Sequence, residues 1–342
     1  MNLPDYNFLS APLWLITTLH WITLTLHFTA MNFLVGGLIV LLHGKFGSRW
    51  ENATVIQFVR LFPSAMAATV TLGVAPLLFV QLVYPRQIYS AAIVSGWFWL
   101  MIVLAAIVSY YLLYGAAFSK AEAFRLKKRL LLGALLGLLY VSAVYSSVFS
   151  MAERPEFVKQ LYASNQSGLV WNPMASDYLW RWLHMITGAV TVGGFFVGLL
   201  GRDDSEAFAA GKRFFLWGMI AASIAGSGYL FSLQPIIAPF MRTPAAWSLM
   251  IGMVLSVASL HFFFKRRFLL TAAALFASLL TMVINRHFVR LLTLDGKFDP
   301  LTWRVAPQWS PFVLFLVCFL VALAMIWYML RIFYLGNKAA NR

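Results

Sequence analysis

The segment WLHMITGAVTVGGFFVG, residues 182–198, places a histidine inside an apolar run that is long enough to cross a bilayer. A histidine within a membrane span is costly to bury and is usually functional. The segment LHFTAMNFLVGG, residues 26–37, repeats the pattern. In both copies a glycine pair follows the histidine after eight residues, and a third glycine with a basic residue closes the motif. The repeat predicts a duplicated binding site at His27 and His184.

The composition indicates a polytopic membrane protein. Of the 342 residues, 61% are hydrophobic and 11% are charged, whereas soluble domains carry about 25% charged residues. The net charge of +15 arises from short Lys/Arg clusters between apolar runs, which is typical of cytoplasmic loops and not of a nucleic-acid-binding surface. The single cysteine, Cys318, excludes an internal disulfide and a cysteine-ligated iron–sulfur cluster.

Apolar runs of about 20 residues or more predict nine transmembrane helices. They lie at roughly 12–43, 61–84, 91–118, 130–151, 178–200, 214–236, 245–264, 268–289 and 309–334. An outside N-terminus and a cytoplasmic C-terminus place most of the basic residues in inner loops. We therefore expect an all-α, multi-pass protein of a bacterial-type inner membrane that contacts the lipid bilayer and binds no nucleic acid.

The repeat continues beyond the histidine motif. The segment GVAPLLFVQ from Gly73 resembles GSGYLFSLQ from Gly226, and WFWLMI near residue 100 resembles AWSLMI near residue 250. These matches predict two pseudo-repeated four-helix bundles of like orientation, with one peripheral helix. The expected divisions are 1–151 for the first bundle, 152–307 for the second with an outer surface loop at 152–177, and 308–342 for the ninth helix and tail.

Histidine nitrogen and methionine sulfur are the side-chain ligands that suit a b-type haem buried between helices. In each unit the first helix supplies a histidine and the third a methionine, so we pair His27 with Met101 and His184 with Met250. Met253 shares a helix face with Met250 and can replace it. The alternative is that the histidines are hydrogen-bonded packing residues and that the methionines fill the core.

Further polar residues lie near the predicted outer ends of the spans. His20, two turns before His27, is a candidate ligand of a second haem, with His287 as its partner, or a donor to a propionate. Arg181, Arg286 and Arg304 are candidates for pairing with propionates or for anchoring at the interface. His43 and His261 lie at inner ends and are interpreted as interfacial.

None of the eleven Asp and Glu residues falls within a predicted span. Membrane proteins that move protons usually carry such groups inside their spans. The pattern favours electron transfer over proton transfer.

The motif around His184, the spacing from His27 to Gly36 and the nine helices resemble subunit I of the cytochrome bd quinol oxidases. The resemblance implies that His184 ligates a low-spin b haem, with Met250 or Met253 as the second ligand, and that His27 serves a high-spin haem. Two features of the family are missing, namely the long quinol-binding loop after the sixth helix and the membrane-buried glutamates. Quinol oxidation and oxygen reduction are therefore not expected of this chain.

We interpret the chain as a membrane cytochrome that carries one to three haem b groups and transfers electrons within a respiratory or other redox complex, as a subunit of an oxidoreductase. The expected partners are other membrane subunits and a periplasmic cytochrome c or iron–sulfur protein docking near 152–177. Three alternatives remain open: a haem-free anchor or assembly subunit, a true bd-type terminal oxidase, and a transporter.

Overall fold

The computed structural model describes residues 8–43, 52–120 and 123–340, and the part it describes is helical throughout apart from connecting turns and one isolated β-bridge. The α-helices, in chain order, are α1 (Leu13–Leu42), α2 (Ala53–Val83), α3 (Pro85–Val94), α4 (Gly96–Phe118), α5 (Phe124–Ala152), α6 (Pro155–Ser164), α7 (Ala175–Leu200), α8 (Ser205–Ser232), α9 (Gln234–Met241), α10 (Pro244–Phe264), α11 (Phe268–Thr293) and α12 (Trp309–Ala340).

Nine of the described helices are long and apolar enough to cross a membrane. They are α1, α2, α4, α5, α7, α8, α10, α11 and α12. This confirms the prediction of an all-α polytopic membrane protein. Helices α2 and α8 begin earlier than predicted, and polar side chains cap both of them. The Asp204 side chain accepts hydrogen bonds from the first turn of α8, so this helix starts at Ser205 rather than near residue 214.

Three short helices, α3, α6 and α9, connect the spans and were not predicted. Each has a proline in its first turn, where the missing N–H costs nothing. The prediction of a surface loop at 152–177 was wrong in two respects. Helix α6 occupies part of this segment, and Glu153, Val158 and Asn172 are buried.

The chain divides into two compact units. The larger unit covers residues 17–299, and the smaller unit takes in residues 8–16 together with 300–340. In the smaller unit, Leu9 pairs with the segment before α12: its N–H donates to the Arg304 carbonyl at 2.8 Å, and its carbonyl accepts from Ala306 at 2.9 Å. The predicted division into two four-helix bundles at residue 151 remains a prediction.

The glycines of the repeated motif bring α1 and α7 into backbone contact. A Cβ placed on Gly193 would lie 2.6 Å from the Gly36 carbonyl oxygen and 2.7 Å from the Gly37 nitrogen. A Cβ on Gly36 would meet the Ala189 carbonyl. Small residues permit this close approach of membrane helices. The two copies of the motif therefore pack directly against each other.

The second glycine of each copy packs on the helix that follows in the repeat, α2 for the first copy and α8 for the second. Gly37 faces the rings of Phe58 and Phe62 on α2, and Gly194 faces the backbone of Gly211 and Phe215 on α8. Phe58, Phe62 and Phe215 are fully buried. The repeat in sequence is thus also a repeat in packing.

Substituting Gly193 with alanine is expected to destabilise the protein by about 1–3 kcal/mol, since the new methyl group has no room between the two backbones. Gly188 is the matched control on the same helix, because a Cβ there meets nothing within 4 Å. Gly188→Ala should leave stability unchanged or raise it by up to about 1 kcal/mol, the helix-propensity gain. Thermal unfolding in detergent distinguishes the two variants. Equal melting temperatures would contradict the close backbone contact at Gly193.

Candidate functional site

His27 and His184 have the same hydrogen bond in the two copies of the repeat. The Nδ1 of His27 lies 2.9 Å from the Thr69 carbonyl oxygen on α2, and the Nδ1 of His184 lies 2.8 Å from the Ala222 carbonyl oxygen on α8. A carbonyl oxygen can only accept, so Nδ1 carries the proton in both rings. In the neutral imidazole the other nitrogen, Nε2, then keeps its lone pair.

A glycine on the facing helix holds each ring close to the backbone. A Cβ on Gly73 would lie 2.9 Å from Nδ1 and Cε1 of His27, and a Cβ on Gly226 would lie 2.9 Å from Nδ1 of His184. Gly73 and Gly226 are the first residues of the two segments matched in the sequence. Their contacts with equivalent histidines confirm that α2 and α8 are corresponding helices of the repeat.

This arrangement is compatible with a metal-ligating histidine. Such a histidine almost always donates its second ring nitrogen to a carbonyl or a carboxylate, which fixes the tautomer and the ring orientation. Within residues 8–43, 52–120 and 123–340, no group of three or more His, Cys, Asp and Glu side chains could hold a bare metal ion. Isolated histidines of this kind fit an iron held in a macrocycle, which needs only one or two protein ligands.

The three candidate methionines occupy exposed faces of their helices. Met101 on α4 is 40% exposed, and Met250 and Met253 on α10 are 50% and 51% exposed. His27 and His184 are half-buried. That these methionines ligate a haem together with the histidines is therefore supported by the sequence alone and remains a prediction.

His20 and His287 come to the same end of the larger unit. The Nδ1 of His20 lies 3.1 Å from the Pro76 carbonyl oxygen, so this ring has the same tautomer as His27 and His184. The Trp21 ring packs edge-on against His287 with 5.5 Å between ring centroids, and His20 interacts electrostatically with His287. The other two histidines, His43 and His261, are exposed at helix ends, as their interfacial interpretation requires.

A buried group of charged side chains, the arginine cluster, lies at this end as well. It consists of Arg181, Arg286, Arg290 and Glu153. The Glu153 carboxylate accepts from Nη2 of Arg286 and, at 3.4 Å, from Nε of Arg290. Nη1 of Arg286 donates to the Tyr229 hydroxyl at 2.7 Å.

Arg181 joins the cluster through α5. Its guanidinium donates to the Ser146 carbonyl and, at 3.4 Å, to the Ser146 hydroxyl, and it interacts electrostatically with Glu153 and Arg286. Arg304, which was predicted alongside Arg181 and Arg286, belongs to the smaller unit and is exposed.

The electrostatics of the cluster keep Glu153 ionised. Burial alone would raise the pKa of Glu153, but the charges of Arg286, Arg290 and Arg181 outweigh it and hold the pKa below its ordinary value. Burial also raises the pKa of Tyr84, whose ring lies 5.4 Å from the Arg290 guanidinium. A carboxylate held in this way stays charged at neutral pH and is a poor proton carrier.

The structure adds to what the sequence indicated about the acidic residues, none of which falls within a predicted span. Glu153 follows directly on the last residue of α5 and is only 7% exposed. Glu206 lies within the first turn of α8, where it is exposed. The sequence contains an indication of this buried acid. Arg286 and Arg290 are four residues apart on one helix face, and two buried arginines need an acidic partner.

No protein-family model matches this chain, and none of the curated proteins compared with it matches it. The resemblance to subunit I of the cytochrome bd oxidases therefore rests on the residues quoted above.

Proposed function

We propose that this protein is a membrane-embedded b-type cytochrome that transfers electrons within a redox complex, with a fold related to subunit I of the cytochrome bd oxidases. One observation carries the proposal. In each histidine of the repeated motif, Nδ1 donates to a backbone carbonyl of the neighbouring helix, and a glycine of that helix faces the ring. The neutral ring then has an unprotonated Nε2.

In this proposal the two histidines, the carbonyls that accept from them and the surrounding helices each have a distinct role. Nε2 of His184 and of His27 would each bind the iron of a haem, which supplies one-electron redox chemistry when it is bound. The carbonyls of Thr69 and Ala222 hold the rings in place, and donation to them raises the basicity of Nε2. The apolar helices around the rings exclude water.

The acidic residues favour electron transfer over oxygen reduction. Glu153 is ion-paired to arginines and stays ionised, and Glu206 is exposed at a helix end. Neither offers a carboxyl group that takes up and releases protons inside the membrane. An active terminal oxidase would consume oxygen with a quinol or a reduced cytochrome c, and we expect the purified protein not to do so.

The proposed setting is the inner membrane, with the N-terminus outside. His20, His27, His184 and the arginine cluster then lie toward the outer face. This position suits exchange of electrons with a periplasmic cytochrome c or iron–sulfur protein, and other membrane subunits would complete the complex.

A reduced-minus-oxidised difference spectrum of the purified protein tests this proposal. We expect the bands of a b-type haem in the visible region and their loss after extraction of the cofactor. A protein that is folded but shows no such bands would be a haem-free anchor or assembly subunit instead.

The glycines beside the histidines provide a test at the level of the site. Gly226→Ala would bring a methyl group to 2.9 Å from the His184 ring and displace it, so we expect weaker binding of the haem on His184. Gly73→Ala should weaken the haem on His27 in the same way. Haem retention through gel filtration measures the effect, with Gly96→Ala as the control, because a Cβ on Gly96 would lie 3.9 Å from its nearest neighbour, an ordinary contact. Full retention in both variants would contradict the assigned ring positions.

A further inference from the structure

Two cationic side chains share one aromatic ring at the end of helices α8 and α11 that is opposite to the arginine cluster. Nζ of Lys212 lies 5.5 Å from the centroid of the Phe208 ring, and Cζ of Arg266 lies 4.1 Å from the same centroid. Nζ of Lys212 is also 4.9 Å from the centroid of the Phe264 ring. Cations at such distances over an aromatic ring are attracted by its electrons. The rings therefore hold Lys212 and Arg266, the cation pair, close to each other.

Neither member of the cation pair has an ion-paired carboxylate among the residues that the structure describes. Two acids of the loop before α8 are engaged elsewhere, since Asp203 pairs with Arg202 at 3.5 Å and Asp204 accepts from the first turn of α8. Two positive charges held at one ring repel each other. Arg266 is exposed, so an anion from outside the chain can reach the pair and supply a counter-charge.

The turn between α10 and α11 holds Arg266 in an unfavourable backbone conformation. Among the described residues other than glycine, only Arg266 has a positive φ, at 55°. This left-handed conformation costs free energy for a residue with a Cβ, whereas glycine adopts it readily. Nη1 of Arg266 donates to the Arg202 carbonyl at 2.9 Å, which is the only hydrogen bond of this guanidinium within the described chain. Because a guanidinium has five N–H donors, most of them remain available to a ligand.

The cation pair lies where lipid headgroups meet the protein. Helices α8, α10 and α11 are candidate membrane spans, and the pair lies where α8 and α11 begin and α10 ends. Lipid headgroups surround the ends of membrane spans. Apolar side chains are exposed beside the pair, namely Phe264 at 43%, Leu269 at 83% and Leu270 at 43%. A molecule that combines an anionic group with hydrocarbon chains fits this surface.

We propose that Lys212 and Arg266 bind the phosphate group of an anionic phospholipid. The ammonium and guanidinium N–H groups donate to the phosphate oxygens, and hydrogen bonds between charged groups of this kind are strong. The acyl chains of the lipid lie along Phe264 and the exposed leucines at the start of α11. This inference goes beyond the proposed function and does not require that the protein binds haem.

Titration of the purified protein with phosphatidylglycerol in a neutral detergent, followed by native mass spectrometry, tests this site. We expect Lys212→Met and Arg266→Gly each to weaken the binding of the lipid about fivefold, since each removes one charge near the membrane surface. Arg266→Gly should keep the fold, because glycine suits the positive φ at this position. Lys212→Arg keeps the charge and should bind the lipid as the wild type does.

The matched control is Lys265→Gln, which removes an exposed charge from the same turn and should weaken binding less than twofold. An equal loss in Lys265→Gln would overturn the site, because it would show only a general attraction to the basic loops. Free glycerol phosphate should not displace the lipid at equal concentration, and displacement would show a site for free phosphate instead. Unchanged binding in both Lys212→Met and Arg266→Gly would also exclude the site. Haem content should be the same in all these variants, so the lipid site and the proposed function fail independently.

Discussion

Replacing His184 with alanine is expected to remove one haem per protein molecule, and replacing His27 should remove another. Each histidine offers an Nε2 lone pair on a ring fixed by a backbone carbonyl. Alanine removes the ligand and leaves the glycine-lined space beside it. Because the two positions are equivalent in the repeat, the double variant should lose two haems. Haem-to-protein ratios and difference spectra of the purified variants measure this.

Added imidazole distinguishes loss of a ligand from loss of structure. In His184→Ala, imidazole can occupy the space of the missing side chain and ligate the iron, so haem binding should recover in part. Recovery would not occur if the histidine only supported the packing. His43→Ala and His261→Ala replace exposed histidines and should keep both haem content and spectrum. A His184→Ala protein with unchanged haem would exclude this residue as a ligand.

The second large effect is expected at Glu153. Glu153→Gln removes the acid that Arg286 and Arg290 share and leaves buried guanidinium groups without a counter-charge. Breaking a buried ion pair in this way costs about 3–5 kcal/mol. We therefore expect a large fall in the thermal stability of the protein in detergent.

Acid titration provides a second measurement on the same residue. The arginines lower the pKa of Glu153 in the folded protein below its ordinary value of 4.5. The stability that this residue contributes is therefore present above about pH 4.5 and is lost as the pH falls through the folded-state pKa. Acidification should thus destabilise the wild type more than Glu153→Gln.

The control for Glu153 lies three residues further along the chain. Glu156 is an exposed residue in the first turn of α6, and Glu156→Gln should change stability by less than about 0.5 kcal/mol. Equal stability of the two variants would show that the arginine cluster does not depend on Glu153.

The sequence predicted the spans and the repeat because both have strong signals. Long apolar runs identify membrane helices, and the LH motif with its glycine pair recurs at the contact between α1 and α7. The histidines could be chosen as candidates, since a membrane histidine is rare. Their carbonyl partners could not be predicted, because Thr69 and Ala222 contribute only backbone atoms, and no side chain identifies them as partners.

The short helices and the arginine cluster could not be predicted from hydropathy or from the repeated motif. Helices α3, α6 and α9 are too short to give a hydropathy signal. The sequence places Glu153 in a loop because it lies two residues beyond the predicted span 130–151. Its burial depends on tertiary packing that brings the end of α11 to the end of α5.

The most direct test of the central claim is a pyridine haemochrome assay on the purified, full-length protein. The account predicts haem b at one or more equivalents per chain, with at least one equivalent lost in His184→Ala. A folded, homogeneous protein that contains no haem b after expression with ample haem supply would contradict it.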